Sequence, residues 1–398
     1  MEKNACYIGL ELTSHSVKLI AGFVLNDLVY VLDMMEEECS GLQNGLIVDS
    51  DSTVQAIRNV VNRACKNLHI AIREVSIALP PFGLQCFTDT GATNTIDGND
   101  IIRHVDTANI LTAMKKRALS DPDLKIIDIV PDTFIINGNE RYAVEPIGKI
   151  SQVLSLHASI YAMSEKVISQ FVNCIAKAGF EVRHRVISPY ANALYLSTNS
   201  AIPSSYILLD IGHSVTTVSQ VHKRTSIVNS KMLRFGGETI TRAIAERFNI
   251  EADEAEELKR VYGIDRNPNF PVYLKNEITF DDLSETITGT LIPALESVRD
   301  IIRNFSLEDN EKLPVVIIGG TSDLNNLEKI VADTLETSVI DFTMETIGAR
   351  DKSLITALGI IRYCAIQPQS GEEENISTSI TRVDQKKISR NYKFDEEL

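Results

Sequence analysis

The sequence predicts an α/β fold organised around a phosphate-binding cleft, and three stretches carry that prediction. At 206–209, Tyr-Ile-Leu-Leu reads as a buried strand; it ends on Asp210, followed by a turn with Gly212, His213 and Ser214. At 235–239, Phe-Gly-Gly-Glu-Thr opens a helix. At 313–318 a second buried strand runs into Gly319-Gly320-Thr321-Ser322. A strand-end acid beside a tight turn, with glycine pairs at helix starts, offers carboxylate oxygens and backbone N–H groups to a nucleotide phosphate and its magnesium.

Composition sets the frame. A chain of 398 residues has room for two to four domains. Its 39 basic and 54 acidic residues leave a net charge of −15, which disfavours non-specific binding to nucleic acid or anionic membrane. No apolar run reaches bilayer-spanning length, and the N-terminus enters a strand pattern directly, so neither signal peptide nor transmembrane helix is expected. Six scattered cysteines without a Cys-x-x-Cys pair fit a reduced, cytosolic protein. Seven histidines show no metal-ligand spacing.

Along the chain, 7–12 and 17–24 read as strands joined by Thr13-Ser14-His15-Ser16, and 28–34 as a third. Glu11 lies near the end of the first strand and Lys18 begins the second. Such a turn can cradle phosphate, and the lysine can counter its charge. Asp49-Ser50-Asp51-Ser52 is an N-cap cluster for a helix over 53–68, whose Val54, Ile57, Val60, Val61, Ala64 and Leu68 keep a helical period. A strand at 74–79 stops at Pro80-Pro81. From 84 to 179 the texture changes to a helix over 100–120, strands at 125–130, 132–136, 141–144 and 151–161, and a helix over 166–178 closed by Gly179. This segment shows no catalytic cluster and reads as a small α+β insert used for contacts. A strand at 180–187 precedes a helix opened by Ser188-Pro189. After the 206–247 stretch come an acid-rich helix at 251–262, which includes Lys259, and a long helix over 280–305. A helix over 324–335 follows the Gly319-Gly320 strand, and 354–363 is the last strong helix. Residues 366–398 are polar and read as a flexible tail.

Three strand–turn units thus recur in order, at Glu11, at Asp210 and at Gly319-Gly320, with Gly236-Gly237-Glu238 between the last two. There is no Walker A lysine loop and no Gly-x-Gly-x-x-Gly. Over roughly 5–365 this order and spacing resemble the actin-like ATPase superfamily, and within it the bacterial cell-division FtsA family. Gly9-Leu-Glu-Leu12 with Val17-Lys18 resembles the first phosphate motif, and Leu208-Leu-Asp-Ile-Gly212 the second. Gly236-Gly-Glu-Thr-Ile-Thr241 and Glu257-Leu-Lys259 resemble the segment after it, and Ile318-Gly-Gly-Thr-Ser322 the adenosine motif. Val130-Pro-Asp132 and Pro146-Ile-Gly148 resemble the small domain peculiar to FtsA.

The resemblance implies two related α/β halves flanking a nucleotide cleft, with an FtsA-type α+β insert. It divides the chain into subdomain 1A (1–82 and 180–203), insert 1C (83–179), subdomain 2A (204–238 and 312–365), subdomain 2B (239–311) and a tail (366–398). It implies ATP and Mg2+ as ligands, the metal held through water by Glu11 and Asp210. The nucleotide would meet Glu11, Thr13, Ser14, Lys18, Asp210, Gly212, His213, Ser214, Gly236, Gly237, Glu238, Lys259, Gly319, Gly320 and Thr321. It further implies filaments of the chain, the C-terminal peptide of the tubulin-like FtsZ docked on about 239–311, and other division proteins on the insert. The family carries a C-terminal membrane helix behind a linker, which would place the protein on the inner face of the membrane at the division site. The end of this tail matches that helix poorly. Alternatives of the same fold are a type IV pilus assembly protein of the PilM kind and a nucleotide-free scaffold.

Three departures bear on catalysis. Thr13-Ser14 stands where the family has Gly-Thr. The second motif reads His213-Ser214 where glycines are usual, and its last acid is Thr217. Ser188 precedes Pro189 where several superfamily members place a glutamate that positions water, and a serine is no carboxylate base. The expectation is at most a slow ATPase acting as an adaptor.

Overall fold

Alternating apolar residues along Tyr7–Leu12 (β1), Ser16–Leu25 (β2) and Leu28–Glu38 (β3) close an antiparallel meander in the computed structural model. It describes residues 5–96, 98–117, 119–264, 273–275, 278–305 and 312–367. A short hairpin, Leu42–Gln43 (β4) with Leu46–Ile47 (β5), leads into helix Ser50–Leu68 (α1). The helix starts three residues before the periodicity predicts, because the Asp49 side chain accepts from the Asp51 and Ser52 amides. Removing that cap in Asp49→Ala is expected to lower stability by about 1 kcal/mol, read as a shifted urea midpoint; an unchanged midpoint would refute it. Strand Glu74–Leu79 (β6) then runs parallel to β1, since the crossover through α1 returns the chain in the same direction.

Next comes a sheet of its own. Gln85–Asn94 (β7), Leu124–Ile136 (β8), Glu140–Tyr142 (β9) and Val153–Ser164 (β10) pair antiparallel in the order β7-β10-β8-β9. Helix His104–Lys115 (α2) covers the sheet, and Ile102, Ile110, Met114, Phe134, Leu156 and Ile160 form a separate core. The helix is shorter than the 100–120 predicted: Asp100 turns left-handed (φ 59°) and Ile101 bridges to Ile150 instead. The two strands expected around Pro131 are one. A register slip opposite His157 and Ala158 bulges the ladder there, and β9 reaches only as far as Phe134, so the missing proline N–H leaves no second strand unpaired. Helix Glu165–Ala178 (α3) follows, ending at left-handed Gly179 (φ 98°). The sequence division puts α3 with the insert, but Val167, Ile168, Phe171 and Ile175 face α1 and belong to the first core.

Strand Glu181–Ile187 (β11) completes the first sheet, β11-β6-β1-β2-β3, and Pro189 sits in the first turn of helix Ser188–Leu196 (α4). The second half repeats the same path. Tyr206–Ile211 (β12), Thr216–His222 (β13) and Ser226–Leu233 (β14) form a meander. Helices Gly237–Phe248 (α5) and Ala252–Tyr262 (α6), short strands Tyr273–Lys275 (β15) and Ile278–Thr279 (β16), and the long helix Phe280–Asn304 (α7) come next. Val315–Ile318 (β17) then lies parallel to β12, giving β14-β13-β12-β17. Helix Leu327–Leu335 (α8) begins later than the predicted 324, after turns and a left-handed Asn326 (φ 61°). The last helix, Ile355–Ile366 (α9), is allotted by the sequence division to the second half. Its Ile355, Leu358, Ile360 and Ile361 are buried in the first core, against β1, β2 and α4.

Opposite faces of β12 serve both halves: Ile207, Leu209 and Ile211 face Ile240, Leu283 and Leu291, while Tyr206 and Leu208 enter the first core. The β13–β14 turn adds polar ties. Lys223 and Arg224 are both left-handed (φ 49° and 71°), which directs Lys223 onto Asp132 of β8 and Arg224 onto the Ser197 and Asn199 carbonyls beyond α4. The tail predicted from 366 lies outside the described residues beyond Gln367.

Candidate nucleotide site

Because the two halves follow one path, β1 and β12 occupy equivalent places, and each carries its carboxylate one residue before its end. Glu11 faces Lys18 across the β1–β2 ladder and Asp210 faces Thr217 across β12–β13. The turns that follow the two strands meet at one cavity. Glu11, Thr13 and Ser14 line it from the first half, and Asp210, Gly212, His213 and Ser214 from the second. Ser188, Thr356, the Pro80-Pro81 break and Met232 complete its wall.

Burial dominates the electrostatics. It pushes the Glu11 carboxyl up to about 7, with Lys18 pulling it down and Asp210 adding to the rise. It pushes Asp210 up to about 6, again opposed by Lys18 and by the Asn192 amide, whose Nδ2 lies 3.4 Å from Oδ2. Lys18 is buried too, and its Nζ donates to the Ser353 carbonyl at 2.9 Å. The Thr356 hydroxyl hydrogen-bonds Glu11. At this site Glu11 Oε2, Asn192 Oδ1 and Ser214 Oγ are buried without a hydrogen-bond partner. Orphaned buried oxygens are costly and point to a missing partner. Hard oxygen donors at the end of two facing strands suit a magnesium ion that keeps its waters, with phosphate beside the Ser and Thr hydroxyls. Among the described residues no three acids, histidines or cysteines converge on one point.

The remaining expected residues do not line the cavity; they form a collar behind the second turn. The N–H groups of Gly237 and Glu238, at the start of α5, donate to the Gly212 and His213 carbonyls at 3.0 and 2.9 Å. That helix start therefore holds the turn and is not free for an anion. A side chain at Gly236 would run into the His213 carbonyl, so the close approach demands glycine there. His213 itself lies outside the left-handed region, so its side chain carries no backbone penalty, contrary to what its place in a glycine-rich motif predicts. Thr321 donates from its amide to Ile211 and from its hydroxyl to Gly212 at 3.1 and 3.2 Å. Gly319 (φ 92°) packs on the Ile211 carbonyl and Asp210, and Gly320 faces Ser353. The helix start expected next to this glycine pair lies farther on, at Leu327. Lys259 is buried and bonds the Gly237 carbonyl, the Thr241 hydroxyl and Glu256, clamping α6 to α5.

Asn192, Ser353, Thr356 and His15 escape the sequence reading. Asn192 had a faint signal, one helical turn after Ser188. Ser353 and Thr356 meet partners more than three hundred residues away, and no local pattern marks them. His15 stacks on His213 across the two turns, ring centroids 4.7 Å apart and tilted by 30°.

Comparison with known proteins bears on this arrangement. Residues 207–359 match the family model described as cell division protein FtsA. The chain is 27% identical over 384 residues to the cell division protein FtsA of Enterococcus faecalis, covering 92% of this chain and 84% of that protein. With its Bacillus subtilis counterpart it shares 23% over 376 residues, covering 91% and 84%. Among solved structures it is similar to the PilM–PilN type IV pilus biogenesis complex, with a TM-score of 0.61 and 17% identity over 92% of this chain and all of that one. It is also similar to ADP-bound MreB5 of Spiroplasma citri, with a TM-score of 0.52 and 14% identity over 89% and 94%. At these identities the solved structures show the fold alone, which is the actin-like two-lobed one.

Proposed function

We propose that this chain, which is similar to FtsA cell-division proteins, is an FtsA-like cell-division protein that binds Mg-ATP in the cavity between β1 and β12 and acts as an assembling adaptor. The observation that carries this reading is the pair of equivalent carboxylates, Glu11 and Asp210, with Glu11 Oε2 and Ser214 Oγ buried and unpartnered in one cavity. Glu11, Asp210 and their waters would hold the metal. Thr13, Ser14 and Ser214 would meet phosphate, and the glycine collar at 236–237 and 319–320 would fix the second turn. The bound metal would neutralise phosphate charge. Hydrolysis would be slow, because Ser188 supplies the cavity wall where a water-activating carboxylate would be needed.

The partners follow the same reading: filaments of this chain, the FtsZ C-terminal peptide on 239–311, and other division proteins on the insert. The site of action would be the division site at the inner membrane face. Among the described residues no helix is long and apolar enough to cross a membrane, so attachment would be peripheral. Calorimetry with Mg-ATP tests the core of the proposal. Asp210→Ala removes a charge-assisted contact worth roughly 2 kcal/mol and should weaken binding by about tenfold or more. No heat at millimolar Mg-ATP, with the variant indistinguishable from wild type, would count against it, and phosphate release at ordinary enzyme rates would overturn slow hydrolysis. The pilus-complex likeness makes a pilus-protein N-terminal peptide the control for FtsZ-peptide capture.

A further inference from the structure

His15 and His213 belong to the turns after β1 and β12, on opposite halves of the molecule, yet their rings stack at 4.7 Å. His213 lines the cavity, whereas His15 is exposed and lies against it from outside. The stack thus fixes the orientation of a cavity-facing imidazole from across the cleft. We propose that this pair couples ligand binding to proton uptake: His15 positions the ring, and His213 takes a proton when the anionic end of a nucleotide enters the cavity. The inference rests on the nucleotide reading above.

The surroundings disfavour the protonated form of His213 while no anion is present. Burial lowers its affinity for a proton, and the neighbouring His15 and Lys259 act in the same direction. Glu238, with Oε2 3.7 Å from Nε2, and Glu256 oppose them. Glu238 is largely exposed, so solvent screens its pull. Lys259 is already neutralised by Glu256. An incoming triphosphate adds negative charge beside the ring, in a cavity that Glu11 and Asp210 also line, and an anion within hydrogen-bonding reach raises an imidazole by one to three pH units, roughly. By linkage, each unit makes binding tighter by up to about tenfold, fully so below the midpoint of the free ring and lost as pH climbs through the shifted one.

The test is calorimetric titration of Mg-ATP into wild type, His213→Asn and His15→Asn at pH 6 and pH 8, each in two buffers of different ionisation heat. Comparing variants cancels the titration of ATP itself and of the acids. The wild-type advantage over His213→Asn should grow several-fold, roughly, from pH 8 to pH 6, with wild type taking up more protons than the variant. His15→Asn should fall between. An advantage that stays flat with pH, while all three proteins bind, overturns this inference and leaves nucleotide binding standing. No binding by any of them at either pH overturns both. If the His213 variant does not fold, the imidazole C–H resonance of His213 in the wild-type protein decides: its midpoint should rise by about one unit with Mg-ATP, and an unmoved midpoint refutes the coupling.

Discussion

Gly359→Ala is expected to cost roughly 3 kcal/mol of stability. Gly359 lies inside α9 where that helix crosses α4, and a Cβ built on it falls onto the Ala191 carbonyl group. The obstacle is backbone, so it cannot move aside as a side chain would. The helices must part, and the gain of about 1 kcal/mol in helix propensity does not offset the lost packing. The effect reaches the cleft as well. Helix α4 carries Asn192 to Asp210, and α9 carries Thr356 to Glu11. Spreading the crossing pulls both supports off the carboxylates, so Mg-ATP binding should weaken together with the urea midpoint. A variant as stable as wild type would refute the packing account.

Lys18→Met is expected to destabilise the protein in a pH-dependent way. The Lys18 charge acts through space on both buried carboxylates, and the methionine keeps its bulk while removing the charge. Uncompensated buried charge costs about 3 kcal/mol or more. The loss should be full at pH 8 and small near pH 5. The sign follows from the folded-state values. Glu11 rises from 4.5 to about 7 and Asp210 from 3.8 to about 6. For acids raised on folding, the favourable neutral form is fully present below the unfolded values and is lost as pH climbs through the folded ones. Wild type should show the same trend more weakly, and Mg2+ should recover more stability at pH 8 than at pH 5. Urea midpoints at the two pH values check this; an equal loss at both would rule it out.

Periodicity and punctuation made most strands and helices legible. The apolar run 206–209 ending on Asp210, the N-cap at Asp49 and the Gly179 stop are local features, and local backbone chemistry places them. Errors gathered where distant contacts decide. Pro131 reads as a break, yet a bulge and an unpaired flank let β8 run through it. The Gly319-Gly320 pair reads as a helix start, but its neighbours turn to bond Ile211 and Gly212 first.

Local patterning alone gives the two strand-end carboxylates, the turns after them and the motif order they form, because strand alternation and turn chemistry act over a few residues. What those groups face depends on long-range packing. That packing brought Glu11 and Asp210 to one cavity, turned Lys259 and the α5 amides inward as supports, and set His15 against His213. Such pairings join residues hundreds of positions apart. Burial and charge then act through space on neighbours that no spacing in the chain records.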